Sequence, residues 1–307
     1  MARILTGLAL AGGGARGIAH IGVLKTLHEH GVTVDRLAGT SAGAIIAAMY
    51  ASRPDPLWIE SHFRQFLESE AFLRLGTQRL AQRYERDSDG GVFSRRLKDH
   101  MVVNLSLLRQ YIIPRELLRE ALEFLVPART FAELKIPLMV CAADLNAGEA
   151  VVYEEGDLIN ALCNSASIPG VLEAEIDDAS VLADGGVFLP VPVEPLRSKV
   201  DFVIASEVNQ RRLPKLEQLS VYSLMMRAEH LTQITLAHLQ ASAADFVFYP
   251  EVKALHWSQF GAFDELLASG IFESLQRIEP LQRRLSRARS PVRRWWHGVR
   301  SRLAGSA

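Results

Sequence analysis

The segment Gly39-Thr40-Ser41-Ala42-Gly43 has a G-x-S-x-G pattern, which suits nucleophilic acyl transfer. A serine in this pattern sits on a tight turn between a strand and a helix, where the flanking positions have room only for glycine. The turn brings the hydroxyl to a helix N-terminus, where developing negative charge is stabilised. Ser41 is therefore a candidate nucleophile. The pattern alone also fits a small-residue turn that packs a strand closely against a helix.

A glycine-rich loop, Gly12-Gly13-Gly14-Ala15-Arg16-Gly17, lies closer to the N-terminus. Its backbone N–H groups can point at an anion, either a dinucleotide phosphate or the oxyanion of an acyl-transfer intermediate. Gly12, Gly14 and Gly17 satisfy the G-x-G-x-x-G pattern of dinucleotide sites. That pattern also needs an acidic residue at the end of the second strand, about 20 positions on, whereas Asp35 lies before the core of that strand. The second strand therefore favours the oxyanion interpretation.

The third segment, Asp184-Gly185-Gly186, follows the apolar run Val181–Ala183. An aspartate at a strand end followed by two glycines can form a simple turn. A serine nucleophile needs a base, however, and a carboxylate at a strand end can reach the same edge of a sheet. Asp184 is therefore the candidate general base.

These segments require a framework of strands that alternate with helices. Apolar runs predict strands, and they are separated by stretches with helical periodicity or small residues: Ile4–Ala11, Val34–Ala38, Pro137–Ala143, Ala150–Glu154 and Phe202–Ser206. The first run is interpreted as a strand, because Thr6 and Gly7 interrupt it too early for the apolar core of a signal peptide. The alternation predicts an α/β fold with a mostly parallel central sheet flanked by helices. Residues 52–133 are predicted to form a helical insertion.

The composition excludes several classes of protein. The chain has 307 residues, of which 49% are hydrophobic, and a formal net charge of −1, which argues against binding to nucleic acid. The two cysteines, Cys141 and Cys163, form no C-x-x-C pair, so a reduced, cytoplasmic setting is expected. No residues have the spacing of a metal site, no cofactor is expected, and no apolar stretch approaches the ~18 residues of a membrane span.

The C-terminal segment differs in composition from the rest of the chain. Nine arginines but only one acidic residue, Glu279, occur between Arg277 and Arg302. Within residues 290–303, Trp295 and Trp296 share a helical face with apolar neighbours, which is typical of an amphipathic helix on an anionic membrane. A helix whose tryptophans dock on the domain is the alternative. We expect a catalytic domain over residues 1–275 and a basic helical tail over residues 276–307, with the protein peripheral on the inner membrane surface if the tail binds lipid.

Four motifs in this order, G-G-G-A-R-G, G-T-S-A-G, S-A-S-I-P-G and D-G-G, resemble the patatin-like phospholipase family. The resemblance is greatest to bacterial members related to the catalytic domain of neuropathy target esterase, and it covers about residues 5–210. It implies a three-layer architecture and a serine hydrolase that acts on lipid acyl esters, of phospholipase A or lysophospholipase type. It further implies a catalytic dyad without histidine, in which Ser41 is the nucleophile and Asp184 the base.

The resemblance also assigns supporting residues. The loop that contains Gly12, Gly13, Gly14 and Gly17 becomes the oxyanion hole, formed by the backbone of Gly13 and Gly14 and supported by Arg16. The remaining residues complete the nucleophile elbow or support the dyad: Gly39, Thr40, Ala42, Gly43, Pro169, Gly185 and Gly186. The chain departs from many relatives over residues 171–175 and 187–190, where aromatic residues, prolines or asparagines are expected. These departures affect the shape of the acyl groove and leave the dyad intact.

Two other functions fit parts of the sequence. A Ser-His-Asp hydrolase needs a histidine after the acid, and four are present, although none has a distinctive strand-end context: His230, His238, His256 and His297. The other alternative is a membrane-binding or nucleotide-binding module that keeps the sheet without catalysis. Intact Ser41, Asp184 and glycine loop count against it.

Overall fold

One β-sheet forms the centre of the protein, seen in a computed structural model that describes residues 3–77, 110–209, 213, 215–216, 219–252 and 255–288. Its strands in the described ranges are β1 Thr6–Leu10, β2 Arg36–Thr40, β3 Leu138–Asp144, β4 Glu149–Tyr153, β5 Glu175–Ile176, β6 Val181–Asp184, β7 Phe202–Ser206 and β8 Phe246–Phe248. Their order is β5-β6-β3-β2-β1-β7-β8, and β4 pairs with β3.

The α-helices in the same ranges are α1 Ala19–Glu29, α2 Ala42–Ser52, α3 Pro56–Glu68, α4 Glu70–Leu75, α5 Arg115–Leu125, α6 Leu158–Ala166, α7 Val193–Arg197, α8 Val221–Ser242 and α9 Phe263–Ala288. Short 3-10 helices span Gly14–Ile18, Phe131–Glu133, Gly185–Val187 and Phe260–Ala262. None of these described helices combines the length and apolar character needed to cross a bilayer. Residues 78–109 of the predicted insertion and residues 289–307 of the predicted tail, including 290–303, lie outside the described residues.

The strands at the centre of the sheet are parallel and buried. Parallel pairs join β3 to β2, β2 to β1, β1 to β7 and β7 to β8, whereas β4, β5 and β6 pair antiparallel at one side. Every residue of β1 and β7 is buried, as continuous apolar strands are when helices cover both faces. Helices α2, α6 and α7 lie directly against the sheet. The predicted α/β class with a mostly parallel central sheet is confirmed.

The strand register gathers several chain segments at one edge of the sheet. Leu10 of β1 pairs with Gly39 of β2 and with Ser206 of β7, so the residues that follow these strands emerge side by side. Strand β6 reaches the same place from the opposite direction. Thr40 pairs with Cys141, and Asp184 pairs with Ala142, the next residue of β3. The carboxyl ends of β2 and β6 therefore meet head-on along one side of β3.

Helices α1 and α9 pack in close backbone contact beside the sheet. A Cβ atom added to Gly22 would lie 2.4 Å from the carbonyl oxygen of Leu267, and one added to Gly270 would lie 2.0 Å from that of Ala19. Glycine is therefore required at both positions of this contact. Helix α9 is continuous through residues 275 and 276, so the first part of the predicted tail extends the helix that packs on α1.

Candidate active site

Ser41 occupies the turn between β2 and α2 in a strained backbone conformation. Its φ of 53° and ψ of −125° make it the only non-glycine residue with positive φ in the described part of the chain. The backbone N–H of Ser41 donates to the hydroxyl of Ser165 at 2.8 Å, and that hydroxyl donates to the carbonyl of Cys141 at 2.6 Å. Strained residues of this kind persist only where surrounding contacts hold them, and they concentrate at functional sites.

The glycines that flank Ser41 permit the close approach that the motif predicts. A Cβ on Gly39 would lie 2.4 Å from Cα of Ala44, and a Cβ on Gly43 would lie 2.3 Å from the carbonyl oxygen of Leu10. The side chain of Thr40, between them, donates to the carbonyl of Leu189 at 2.5 Å.

Asp184 lies at the end of β6 with its side chain buried beside Ser41. Its Oδ1 accepts the N–H of Gly186 at 2.7 Å. Burial raises the pKa of Asp184 from 3.8 to about 6, although hydrogen bonding from the Ser41 side chain and the Gly186 N–H lowers it. The buried Oδ2 makes no hydrogen bond of standard geometry to a described residue. The serine hydroxyl is thus near enough to influence the carboxylate but is poorly aligned with it, as catalytic hydrogen bonds often are without substrate.

The glycine loop leaves two backbone N–H groups available at the site. Gly12 lies against the Cβ of Ser41, but its N–H donates to the carbonyl of Pro190 at 3.0 Å. The N–H groups of Gly13 and Gly14 donate to no described residue. Gly14 has a φ of 57°, and a Cβ there would lie 2.4 Å from the carbonyl oxygen of Trp257. Gly13 and Gly14 are therefore the loop members able to bind an oxyanion.

Arg16 is buried behind the glycine loop. Its Nε donates to the carbonyl of Gly13 at 3.1 Å, and this hydrogen bond holds the backbone of the glycine loop in place. Burial lowers the pKa of Arg16 to about 10, while the charge of Glu207 raises it, so the guanidinium stays protonated at neutral pH. Gly17 allows the following helix to approach the elbow, since a Cβ there would lie 2.8 Å from that of Ala42.

The segment that follows Asp184 holds the site together through its carbonyl groups. The carbonyl of Phe188 accepts from the Gln240 side chain, that of Leu189 from Thr40, and that of Pro190 from the Gly12 N–H, at 2.7, 2.5 and 3.0 Å respectively. This segment is one of the two that depart from the family pattern. Backbone acceptors leave no signature in side-chain identity, so the sequence gives no signal for this role.

The S-A-S-I-P-G motif supports both members of the candidate dyad. Ser165 bonds to the Ser41 backbone, and the carbonyl of Ser167 accepts the Asp184 N–H at 2.9 Å. Pro169 lies in the exposed turn after α6, two residues further on. Close packing also involves Gly185, where a Cβ would lie 2.2 Å from the Cys141 carbonyl oxygen. In the sequence, Ser165 has no signal of its own beyond its place in this motif.

Among the described residues, neither Ser41 nor Asp184 is hydrogen-bonded to a histidine. His230 and His256 instead lie near Arg16. Burial, followed by the charge of Arg16, lowers the pKa of both, that of His256 to about 4. His238 is exposed, and its ring lies 6.4 Å from that of Tyr249, centroid to centroid. His297 lies outside the described residues. The arrangement of a Ser-His-Asp hydrolase is therefore not formed in the described part.

His20 has a structural role at the same edge of the sheet. Fully buried, it joins the ends of β1 and β7, with Nε2 2.9 Å from the Ala11 carbonyl and Nδ1 2.9 Å from the Ser206 hydroxyl. Burial lowers its pKa to about 4, so the ring is neutral. Because a carbonyl can only accept, Nε2–H donates to Ala11 and Nδ1 accepts from Ser206. Across the described residues, no group of three or more His, Cys, Asp and Glu side chains is placed to hold a metal ion.

The chain is similar to several known proteins. An uncharacterised NTE family protein of Mycobacterium tuberculosis is 31% identical over 204 residues, which cover 66% of this chain and 48% of the relative. The patatin-like phospholipase domain-containing protein 6 of Homo sapiens is 29% identical over 69% of this chain and 14% of its own length. The chain thus spans about half the length of the mycobacterial relative.

Solved structures to which the chain is similar include VipD from Legionella pneumophila, at 15% identity and a TM-score of 0.46, covering 91% of this chain and 67% of VipD. The type III effector protein ExoU is 18% identical with a TM-score of 0.41, covering 92% of this chain and 53% of ExoU. The profile of the patatin-like phospholipase family matches residues 8–197, which is more than half of the chain. The resemblance predicted from the four motifs is confirmed, and the protein belongs to the patatin-like phospholipase family.

Proposed function

We propose that the protein is a serine hydrolase of lipid acyl esters, in which Ser41 is the nucleophile and Asp184 the general base. One observation carries the proposal: a serine held at positive φ lies beside a buried aspartate whose pKa is raised to about 6. An ordinary surface carboxylate is too weak a base at neutral pH. A carboxylate with this pKa is still ionised at pH 7 but is a better proton acceptor.

The geometry supports a two-step reaction. The Ser41 oxygen attacks the ester carbonyl carbon while its proton passes to Asp184, and the N–H groups of Gly13 and Gly14 stabilise the oxyanion. Collapse of the intermediate breaks the bond to the alcohol, which leaves with the proton from Asp184. Water then attacks the acyl-enzyme with Asp184 again as base, releasing the fatty acid and restoring Ser41. Arg16 acts by fixing the loop, and its positive charge favours the anionic intermediate.

The substrate class follows from the family. A phospholipid, a lysophospholipid and a neutral glyceride all present the acyl ester that this site would cleave. Release of fatty acid from a panel of these three lipids, measured for the wild-type protein and Ser41→Ala, would identify the preferred class. Hydrolysis that persists in Ser41→Ala would contradict the assignment of the nucleophile.

The first test is covalent labelling with a fluorophosphonate, followed by intact mass. Wild type should gain one adduct, Ser41→Ala should gain none, and Asp184→Asn should react more slowly. Ser52→Ala is the matched control, because Ser52 is also buried in α2 but donates only to the carbonyl of Ala48. A well-folded wild type without an adduct would favour a binding module that has the fold but no activated serine.

A further inference from the structure

Helix α8 presents apolar side chains to the outside of the protein. Five apolar side chains on the outward side are between 50% and 77% exposed: Val221, Leu224, Met225, Leu231 and Leu239. Exposed Thr232 and Thr235 lie among them. Leu219, just before the helix, is also 77% exposed. At 100° per residue these five positions fall on one side of the helix, which we call the outer face of α8. Contiguous exposed apolar side chains usually mark an interaction surface.

The side of α8 that faces the protein is polar over its first half. Ser223, Arg227, His230 and Gln233 are half-buried, whereas the outer positions between them are exposed. A surface helix of a globular protein ordinarily has the opposite arrangement, with apolar residues inward and polar residues outward. The reversed polarity means that the first three turns of α8 gain little from burial in the monomer. It points to an apolar environment outside the protein.

The inner side of α8 adjoins the candidate active site. The Gln233 Nε2 lies 3.2 Å from where a Cβ on Gly186 would be, and His230 is close enough to Arg16 for its pKa to be lowered by that charge. Further along, Gln240 donates to the Phe188 carbonyl at 2.7 Å and accepts the Val191 N–H at 3.1 Å. These contacts attach α8 to the segment that follows Asp184. The outer face of α8 is therefore the surface immediately above the site.

We propose that the outer face of α8 contacts the surface of a lipid aggregate, and that it inserts its leucine and methionine side chains among the acyl chains. The proposal rests on the proposed function, since a lipid ester must leave such an aggregate to reach Ser41. A largely apolar face that lies over the site shortens this transfer. Interfacial helices bind by burying an apolar side of this kind at the headgroup boundary.

The test compares Leu224→Asp/Met225→Asp with wild type in flotation with vesicles of phosphatidylcholine and phosphatidylglycerol. The substitutions should weaken vesicle binding at least about tenfold, because charged groups replace two exposed apolar side chains that the proposal inserts among the acyl chains. Phospholipid hydrolysis in vesicles should fall in parallel. Hydrolysis of monomeric p-nitrophenyl butyrate should stay within about twofold, since both side chains point away from Ser41. Phe272→Asp/Leu275→Asp, at similarly exposed positions of α9, is the matched control and should bind vesicles as wild type does.

Three outcomes would overturn the proposal. These are a wild-type protein that does not bind vesicles, equal binding by wild type and the α8 variant, and a wild-type dimer that the α8 substitutions convert to a monomer. The last outcome would assign the face to a second copy of the chain. Failure of wild type to hydrolyse the monomeric ester would instead contradict the proposed function, and vesicle binding is read independently of it. Circular dichroism and the milder Leu224→Ser variant separate loss of binding from loss of folding.

Discussion

The hydroxyl of Ser165 links the backbone of Ser41 to the neighbouring strand, accepting the Ser41 N–H at 2.8 Å and donating to the Cys141 carbonyl at 2.6 Å. One side chain near the end of α6 thereby satisfies two buried backbone groups from β3 and from the turn after β2. An unpaired backbone group would be costly in this buried position. The strained φ of Ser41 is therefore supported from outside its own turn.

Substitution Ser165→Ala is expected to reduce both stability and turnover. It leaves the Ser41 N–H and the Cys141 carbonyl unpaired, at a cost of about 1–3 kcal/mol in the free energy of unfolding. A less firmly held nucleophile should lower kcat/KM about tenfold or more. Ser167→Ala is the control, because its hydroxyl bonds to carbonyls of Cys163 and Glu173 rather than to the elbow. Equal turnover in the two variants would contradict a positioning role for Ser165.

Substitution Asp184→Asn should abolish activity but stabilise the protein above about pH 6. The folded-state pKa of about 6 exceeds the unfolded value, so the native state binds the proton more tightly. Wild type therefore loses stability as pH rises from about 4 to about 6, by on the order of 3 kcal/mol. The asparagine variant lacks this loss and can still accept the Gly186 N–H. Urea unfolding at several pH values measures the difference in the free energy of unfolding between the variant and wild type. This difference should vanish as pH falls towards 4, and a difference that is the same at every pH would contradict the raised pKa of Asp184.

The rate of ester hydrolysis should fall on the acid side of about pH 6. Protonation of Asp184 removes the base, so kcat/KM should decline about tenfold per pH unit below that pKa. His256→Gln and His230→Gln should keep the same acid limb, because burial already favours the neutral form of both rings. Monomeric p-nitrophenyl butyrate is the appropriate substrate, since its hydrolysis does not depend on vesicle binding. If the acid-side fall in kcat/KM moves to a different pH in either histidine variant, the group whose protonation limits the rate is that histidine.

Substitution Gly14→Ala should disable the oxyanion loop. The added Cβ would meet the Trp257 carbonyl oxygen at 2.4 Å, so the loop must shift and misplace the N–H groups of Gly13 and Gly14. Loss of an oxyanion donor lowers kcat by about a hundredfold or more. Gly148→Ala is a matched control, because Gly148 has a similar φ of 71° with no atom within 4 Å of an added Cβ. The Gly148→Ala variant also places an alanine at positive φ but should retain full turnover. Equal inactivation of both variants would show that backbone strain, and not the position of the loop N–H groups, causes the loss.

Much of the framework could be predicted from the sequence because apolar runs and glycine turns are local signals. The strand–turn–helix around Ser41 and the strand before Asp184 follow directly from such patterns. The turn between β3 and β4 is equally local, with the side chain of Asp144 accepting the N–H groups of Asn146 and Ala147. These features depend on neighbours in sequence.

The remainder depends on contacts between distant segments, which a single sequence does not specify. The carbonyls of Phe188, Leu189 and Pro190 organise the site whatever their side chains are. The nearness of His230 and His256 to Arg16 arises because α8 and the segment after β8 return to the edge of the sheet. The sequence around these histidines carries no signal for this placement, so their half-buried positions beside the loop appear only in three dimensions.

Because β2 and β6 meet head-on, strand β3 sets the distance between the segments that carry the proposed nucleophile and the proposed base. Thr40 and Asp184 are registered on Cys141 and Ala142, so their spacing is set by one residue step of β3, about 3.3 Å. Segments of any length can be inserted between β2 and β3, or between β4 and β6, without altering that step. The surroundings of the site can therefore diversify by insertion and deletion while the spacing of the proposed nucleophile and base stays constant.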